Sequence, residues 1–486
     1  FGHVFGSGSD MKAILLRAGF TGASIVLMST AYASGYKVNE QSASGVGTAY
    51  AGRAAVADDA SVVFYNPAAM SKLKRSELSF GATYIDVEGS FEGTRTNPAG
   101  VPDAAEGNAY DDGGDFVPNA TIPFVYYVHP VDDKVAFGFG IFAPFGTHTD
   151  YSSNALVGGF ADETELTTID FQPTFSYRVS DTLAIGGGID IMYAHGLLSK
   201  QLDLVPYVPG HPQLGNTDYQ GYENKFEVEG NDLGYGWNLG LIWDVTAHTT
   251  LGFTYRSEVD LELVGDSKFI QSSGVVAYTD PDGDAGPYPA GIYPVDGATG
   301  QVDSQASRVP LTTPRSATLS LAHQATDNLQ LQAGATWTDW SVFKYFDIIA
   351  TKPGLIDDLS GLGDNYIGHI VEKWHDTLSW AVGASYRIDQ RWLLRGGYAY
   401  DEAPVSDDHR TARVPDTDRQ WLTAGARYDL NNDISFDLGI AYLLIDDSKL
   451  NEYDYDLNDQ VSGVENAQGT YDVDALGVSL QMNYRM

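Results

Sequence analysis

The residue types that carry out nucleophilic or metal chemistry are sparse in this sequence. The chain contains no cysteine, so disulfides and thiolate metal sites are excluded. The run Asp280-Pro281-Asp282-Gly283-Asp284 has the first ligand positions of a calcium loop, but Ala285 and Gly291 stand where such a loop needs Gly and Glu. We predict no catalytic residue, no metal site and no cofactor. No serine–histidine–acid arrangement can be read from the scattered histidines, which include His129, His195, His323, His369 and His375.

A second group of polar residues lies between Ser34 and Ser76, a stretch rich in Ala, Gly and Ser that lacks the apolar–polar alternation of the remaining chain. Arg53, Asp58 and Asp59 stand in its middle. Inside a confined lumen these charges would pair with charges of the surrounding wall, whereas in open solvent they would stay solvated. We favour pairing, and we predict that residues 34–76 form a small hatch that plugs a pore.

Asn66-Pro67-Ala68 ends the helical part of this hatch. Pro67 lacks a backbone N–H and disfavours a helical conformation at the residue before it, so a short helix expected around Ala43 to Ala57 must end before the motif. The Asn66 amide could satisfy backbone groups that Pro67 leaves unpaired, or the motif could be an ordinary turn. The first interpretation makes Asn66, Pro67 and Ala68 candidates for holding the hatch closed.

The N-terminal sequence predicts export. Residues 1–10 precede Met11 and have no place in the predicted fold. Residues 11–33 have the basic start, apolar run and Ala-Tyr-Ala close of a secretory signal. The full chain carries 28 Lys and Arg against 65 Asp and Glu, a net charge of −37, which argues against a nucleic-acid partner because phosphate binding needs a basic surface.

Residues 77–486 alternate between apolar and polar residues without a linker break. In the last segment Leu476 and Val478 alternate with Gly477 and Ser479, a period of two that places one set toward lipid and the other toward a lumen. After the leader, no run approaches the roughly 18 consecutive apolar residues of a spanning helix. An exported chain of this kind favours a closed β-barrel, whose backbone groups all pair between strands.

Short polar turns alternate with long polar connections along this region. Six short turns join twelve strands, and the first and last strands raise the count to fourteen, with both ends on the side of the short turns. We therefore predict a 14-stranded antiparallel transmembrane β-barrel with its short turns at the periplasmic end. The long connections are expected at 92–119, 206–223, 266–307 and 351–366. The short turns are expected at 129–133, 179–182, 244–248, 325–328, 388–391 and 430–433.

Several separate motifs occur along the chain in the same order as in a known protein family. They are Asn66-Pro67-Ala68, Tyr235-Gly236-Trp237-Asn238, Tyr255-Arg256-Ser257-Glu258-Val259, Asp401-Glu402-Ala403-Pro404-Val405, Val414-Pro415-Asp416-Thr417-Asp418-Arg419 and Trp421-Leu422. From about Gly35 to the C-terminus the sequence resembles the FadL-type outer-membrane long-chain fatty acid transporters. The resemblance implies passive diffusion of a hydrophobic molecule, which extracellular loops capture, an interior pocket holds and an opening in the wall releases sideways when the hatch shifts.

The resemblance also implies a basic residue that faces the ligand head group in the interior pocket, and Lys200 falls at that position. A cation in a low-dielectric cavity suits a carboxylate, although a lone lysine could equally point outward to the membrane edge. A second basic residue of the family falls near Phe346 and Asp347, where this chain has no cation in register and Lys344 is the nearest candidate. That departure leaves open a neutral or aromatic hydrocarbon as the cargo.

Two further features follow from the third strand. Gly138, Gly140 and Pro144 weaken its hydrogen-bond ladder and could kink it, as the resembling family does, or Pro144 could simply end the strand. The next loop is unusually apolar and could form an exposed capture surface or fold on itself as a small core. Its apolar residues also include Tyr151, and its candidate capture residues are Phe142, Phe145, Leu156, Val157 and Phe160.

We therefore predict passive transport of long-chain fatty acids across the outer membrane of a Gram-negative bacterium. The partners expected are the hydrophobic molecule, outer-membrane lipid and lipopolysaccharide, and the chain is expected to be a monomer. Uptake of neutral or aromatic hydrocarbons by the same route is the alternative. An outer-membrane phospholipase is less favoured, because it needs Ser, His and an orienting polar partner on the lipid-facing rim.

Overall fold

The body of the protein, in a computed structural model, is a closed ring of antiparallel strands. The structure describes residues 34–96, 100, 102, 111–202, 217–220, 224–271, 275–278, 291–294, 303–363 and 365–486. The predicted leader and the rejected calcium loop lie outside this part of the chain. The ring strands are β1 (Glu77–Thr96), β2 (Ala120–Pro130), β3 (Val135–Phe142), β5 (Glu163–Arg178), β6 (Leu183–Gln201), β8 (Asn224–Thr246), β9 (Thr249–Arg256), β14 (Ser316–Gln324), β15 (Leu329–Thr338), β18 (Thr377–Arg387), β19 (Trp392–Asp401), β20 (Arg419–Asp429), β21 (Ile434–Ile445) and β23 (Val461–Arg485).

The register of these strands confirms the predicted 14-stranded barrel. Each ring strand pairs antiparallel with two neighbours. The ring closes where β1 pairs with β23, from Glu77↔Arg485 to Thr96↔Asn466. Along β23, Leu476 and Leu480 are exposed while Ser479 is buried, which is the expected lipid–lumen alternation. All six predicted short turns join consecutive ring strands.

The long connections at the other end contain more regular structure than the sequence predicts. The connection from 266 to 307, expected as a loop, contains the paired ends of β10 and β13, and a helix α3 (Leu355–Ser360) lies in the connection from 351 to 366. Among the described residues, no helix has the length and apolar character needed to cross a membrane. The further strands described here are β4 (Gly146–Asp150), β7 (Thr217–Gln220), β10 (Val259–Gln271), β11 (Val275–Tyr278), β12 (Gly291–Pro294), β13 (Asp303–Thr313), β16 (Tyr345–Ala350), β17 (Tyr366–Val371) and β22 (Ser448–Tyr455).

The hatch contains two short α-helices where the sequence predicts one longer helix. Helix α1 covers only Ala43–Val46, α2 covers Val62–Tyr65, and a 3₁₀ helix covers Pro67–Lys72. The expectation of one helix from 43 to 57 is therefore wrong. Ala49 and Tyr50 have φ of 49° and 61°, in the left-handed region, so α1 cannot continue through them.

Inward-facing glycines of the wall allow the hatch backbone to approach closely. A Cβ atom on Gly252 of β9 would overlap the carbonyl group of Ala54, and one on Gly397 of β19 would overlap that of Thr48. These strands lie on different parts of the ring, so the hatch is seated against the wall on several sides. Hatch and wall side chains share buried hydrophobic clusters, one of which joins Val62 to residues of β2.

Candidate functional site

Two hatch carboxylates contact a cluster of wall charges. Asp58 Oδ2 lies 3.2 Å from Arg395 Nη2, and Asp59 Oδ2 lies 3.3 Å from Arg427 Nη2. Asp437 joins the two arginines, with oxygens 2.6 Å from Arg395 Nη1 and 2.9 Å from Arg427 Nη2. The wall residues belong to three adjacent strands, β19, β20 and β21. Removing one partner of such a buried pair leaves an uncompensated charge, which typically costs about 3–5 kcal/mol.

Arg53 and two serines complete this cluster from the hatch side. Arg53 Nη2 donates to Ser44 Oγ at 3.0 Å and to Ser61 Oγ at 3.2 Å. Both hydroxyls donate to Asp59, at 2.7 and 2.5 Å. Burial opposes ionisation of Asp59, but Arg53, Arg427 and the two hydroxyls outweigh it and hold the pKa of this carboxyl well below its ordinary value. Asp59 therefore stays ionised near neutral pH.

The Asn66 amide joins the hatch to the wall near the motif that the sequence singles out. Its Nδ2 donates to the carbonyl oxygens of Ala54, at 2.5 Å, and of Leu241 on β8, at 3.1 Å. Its Oδ1 accepts from the backbone N–H of Ala68 at 3.0 Å. Gly240 faces Asn66 and leaves the space that this amide occupies. Pro67 starts the following 3₁₀ helix, where its missing N–H is not needed.

Strand β3 leaves the wall after Phe142. The next residues bend inward and pair with the start of the hatch: Val38 N donates to Pro144 O at 2.9 Å, and Gly146 N donates to Tyr36 O at 2.7 Å. Strand β4 then begins at Gly146 and pairs with β5. The chain therefore exchanges its pairing with β2 for pairing with the hatch.

This departure leaves a gap in the wall beside β2. Among the described strands, residues 120–124 of β2 pair with β1 alone, residues 125–128 pair with both β1 and β3, and residues 129 and 130 pair with β3 next to the turn. Aromatic side chains occupy the lumen side of the gap. The ring of Phe142 lies 4.9 Å from that of the hatch residue Phe64 and 5.8 Å from that of Tyr126, centroid to centroid.

Of the three residues expected to kink β3, only Pro144 lies at the bend. Gly138 and Gly140 stay within the paired strand. A Cβ atom on Gly138 would overlap Met70 Sδ and lie 2.8 Å from Val63 Cγ2, so this glycine makes room for the hatch. Gly138 therefore allows the hatch side chains to pack directly against β3 at this point of the wall.

The apolar loop after the bend does not form the exposed patch that the sequence suggests. Phe142, Phe145, Leu156, Val157 and Phe160 are all buried, with at most 6 % exposure. The last three pack into one hydrophobic cluster with side chains of the wall. The sequence leaves two alternatives open, and the burial of these side chains agrees with a loop that packs as a small core, because they find apolar partners within the protein. A role of the loop in capture stays a prediction.

An apolar cavity of about 530 Å³ lies at the end of the barrel that carries the long connections. Lys200 and Arg413 line it together with Phe160, whereas Lys344 is exposed and lines no part of it. Most of its lining is hydrophobic. The apolar lining residues are Phe160, Leu202, Phe226, Phe269, Ile270, Ile348, Ile356, Leu362, Ile367, Ile370 and Val371.

Arg413 is a cavity residue that sequence reasoning missed, as is Arg410, which also lines the cavity. Arg413 is 2 % exposed, and its Nη1 donates to Thr164 Oγ1 at 3.2 Å and to Ser199 O at 3.1 Å. Its Nε is buried and makes no hydrogen bond within the described part of the chain. Two acids lie near it: burial raises the pKa of Glu372 to about 7 and that of Glu452 to about 8. No signal in the sequence marked Arg413, since it lies in a connection far from Lys200 along the chain.

One histidine contact bears on the hydrolase alternative. Ser76 Oγ lies 2.8 Å from His129 Nδ1 at the short-turn end, where His129 is exposed and Ser76 is half-buried. Within the described residues, no carboxylate contacts His129. The pair therefore lacks the orienting group of a hydrolytic triad.

Comparison with known proteins agrees with this architecture. The family described as outer membrane protein transport protein (OMPP1/FadL/TodX) matches residues 24–486. The long-chain fatty acid transport protein of Escherichia coli O6:H1 is 30 % identical over 447 residues, which are 89 % of this chain and 92 % of that protein. Outer membrane protein P1 of Haemophilus influenzae is 30 % identical over 433 residues, covering 85 % and 86 %.

Solved structures share the fold. A Pseudomonas aeruginosa FadL homologue superposes with a TM-score of 0.76 at 24 % identity, covering 93 % of this chain and 99 % of that one. The Ralstonia pickettii toluene transporter TbuX gives a TM-score of 0.60 at 18 % identity, covering 92 % and 98 %. This chain therefore belongs to the outer membrane protein transport family OMPP1/FadL/TodX and is a β-barrel protein of the outer membrane.

Proposed function

We propose that this protein carries long-chain fatty acids passively across the outer membrane. The observation that carries the proposal is the apolar cavity of about 530 Å³ with three cations, Lys200, Arg410 and Arg413, in its lining. Arg410 is paired with Asp407 at 2.6 Å. The size of the cavity lies within the range of roughly 300–1,000 Å³ that is usual for small-molecule sites. An acyl chain would bury its methylenes against the phenylalanine and isoleucine side chains, each buried methylene contributing about 0.8 kcal/mol.

The carboxylate of the fatty acid would lie at the cationic side of the cavity. Arg413 has a buried Nε without a hydrogen-bond partner among the described residues, and a carboxylate would satisfy it. Burial raises the pKa of Glu452 to about 8 and that of Glu372 to about 7, so near pH 7 Glu452 is mostly protonated and Glu372 is about half protonated, which weakens their competition for Arg413. Lys200 supplies the second positive charge, and Lys344 takes no part.

We further propose that the cargo leaves sideways beside β2, where β3 has turned to pair with the hatch. This route would deliver an apolar molecule into the membrane without exposing it to water. Movement of residues 34–38 would free the bend at Pro144, because their backbone holds it. The protein would act as a monomer with two parts, a hatch of residues 34–76 and a barrel of residues 77–486. It would be embedded in outer-membrane lipid and lipopolysaccharide and would have no catalytic activity.

Neutral or aromatic hydrocarbons are the second candidate cargo. The observations that favour them are the largely hydrophobic lining of the cavity and the absence of Lys344 from it. Structural relatives named as toluene transporters share the fold. An aromatic hydrocarbon would leave Arg413 Nε unsatisfied, which is why we place the fatty acid first.

Uptake of labelled oleate tests the proposal. The chain is expressed in a strain that lacks its own outer-membrane fatty acid transporter, and uptake is compared with that of cells carrying the empty vector. We expect uptake and growth on oleate to be restored. Restored uptake of labelled toluene with no gain for oleate would favour the second candidate, and no gain for either would contradict both.

A further inference from the structure

A group of metal-ligating side chains lies outside the cavity, on the strand that follows the inward bend. His148 is on β4, and Glu163 and Glu165 are on β5. Each offers one ligand atom, and these atoms all lie within 4.8 Å of one another. In a tetrahedral zinc site, with metal–ligand distances of about 2.0–2.2 Å, ligand atoms lie about 3.4 Å apart. Small side-chain rotations would therefore bring these three ligand atoms to zinc-binding distances.

Strand register brings these residues together. His148 pairs directly with Glu165, and Glu163 lies two residues away on the same face of β5. Thr167 Oγ1 donates to Glu165 Oε1 at 3.0 Å and so orients that carboxylate from the next position on this face. Hydrogen bonds of this kind to a ligand carboxylate are typical of metal sites.

The imidazole of His148 provides an independent observation. Its side chain is 16 % exposed, yet both ring nitrogens are shielded from solvent and make no hydrogen bond within the described residues. The Glu163 carboxylate, 3.5 Å from Nε2, is its nearest charged neighbour. Lys225 lies 3.0 Å from Asp162 and 3.9 Å from Glu163, so its closer partner is Asp162.

We propose that His148, Glu163 and Glu165 bind a divalent cation of the Zn²⁺ class. One imidazole nitrogen and two carboxylate oxygens suit a borderline metal, and three protein ligands leave one position for water. The ion would tie β4 to β5 directly after the bend that holds the hatch. The proposal does not depend on the identity of the transported molecule.

Metal competition on the purified protein tests the site. The full chain, without a polyhistidine tag, is titrated with Zn²⁺ against a chromophoric chelator, and Co²⁺ absorption reports the coordination geometry. We expect one tight equivalent, with at least a tenfold loss of affinity in His148→Ala, Glu163→Gln and Glu165→Gln. His323→Ala is the matched control, since His323 faces Thr249 at the short-turn end and should leave binding unchanged.

Heat-modifiable migration in gel electrophoresis verifies that each variant is a folded barrel. If a variant does not fold, anomalous diffraction at the zinc edge from the wild-type protein replaces it, with density expected among the three side chains. Equal zinc affinity in the wild type and in folded His148→Ala would overturn the proposal. So would anomalous density elsewhere only, or no tight equivalent at all.

Discussion

At the scale of single residues, Arg413 is the cation that we propose distinguishes an acid cargo from a neutral one. Lys200 could be singled out by resemblance, but Arg413 could not, because its place in the cavity depends on how a long connection folds back over the barrel. Its hydrogen bonds to Thr164 and Ser199 fix the guanidinium and leave Nε unpaired within the described structure. A buried donor of this kind contributes most when a ligand satisfies it.

Replacement of this arginine should separate the two candidate cargos. We expect Arg413→Gln to weaken oleate binding by about 10- to 100-fold, since hydrogen bonds to charged groups contribute about 1.5–3 kcal/mol. Binding of an uncharged hydrocarbon should change little. The measurement is equilibrium binding of both labelled compounds to purified protein, with the exposed turn variant Arg391→Gln as the control. Equal losses for both compounds would indicate a structural role for Arg413.

Glu452 gives a prediction on pH. Burial raises its pKa from 4.5 to about 8, so the folded protein retains a proton that the unfolded chain releases as pH rises above 4.5. Folding stability due to this group therefore falls between about pH 4.5 and 8, and above that range the carboxylate competes for Arg413. We expect affinity for dodecyl sulfonate, which stays ionised, to be lower at pH 9 than at pH 7. Glu452→Gln should flatten this dependence, and a wild-type affinity that does not change with pH would contradict it.

At the scale of elements, the hatch is held by backbone contact as much as by charge. Its charged residues pair with β19 to β21, and wall glycines admit its backbone on other sides. Strand alternation and turn chemistry predicted the ring because each depends on neighbouring residues. The bend after Phe142 and the two short hatch helices could not be predicted in detail, because contacts between distant segments determine them.

A single methyl group in the wall should displace the hatch. In Gly252→Ala, the new Cβ would overlap the Ala54 carbonyl, and backbone cannot move aside as a flexible side chain can. We expect higher single-channel conductance and greater sensitivity of cells to large antibiotics. Gly396→Ala is the control, because its nearest neighbour would be Thr423 O at 3.8 Å, an ordinary contact. Similar conductance in the two variants would show that the hatch is not seated through this glycine.

At the scale of the whole molecule, the barrel combines a cavity at one end, a hatch within and a gap in the wall between them. The fourteen ring strands and their short turns follow from sequence alone, since lipid imposes alternation on every strand. The conformation of the apolar loop stayed open because sequence shows that its side chains are hydrophobic but not what covers them. Phe145, for example, lies 5.9 Å from the hatch residue Tyr36, ring to ring.

The most direct test of the account is to close the gap beside β2 and measure oleate uptake. The pairing of β2 with β3 ends at Val125↔Ile141, and Phe124 and Phe142 are the next two residues that would face each other in this register. The chain has no native cysteine. The double variant Phe124→Cys, Phe142→Cys is compared oxidised and reduced in a strain without its own transporter. With disulfide formation verified by mass spectrometry, the account predicts low uptake when oxidised and recovery on reduction. Undiminished uptake through the oxidised protein would contradict sideways exit at this gap.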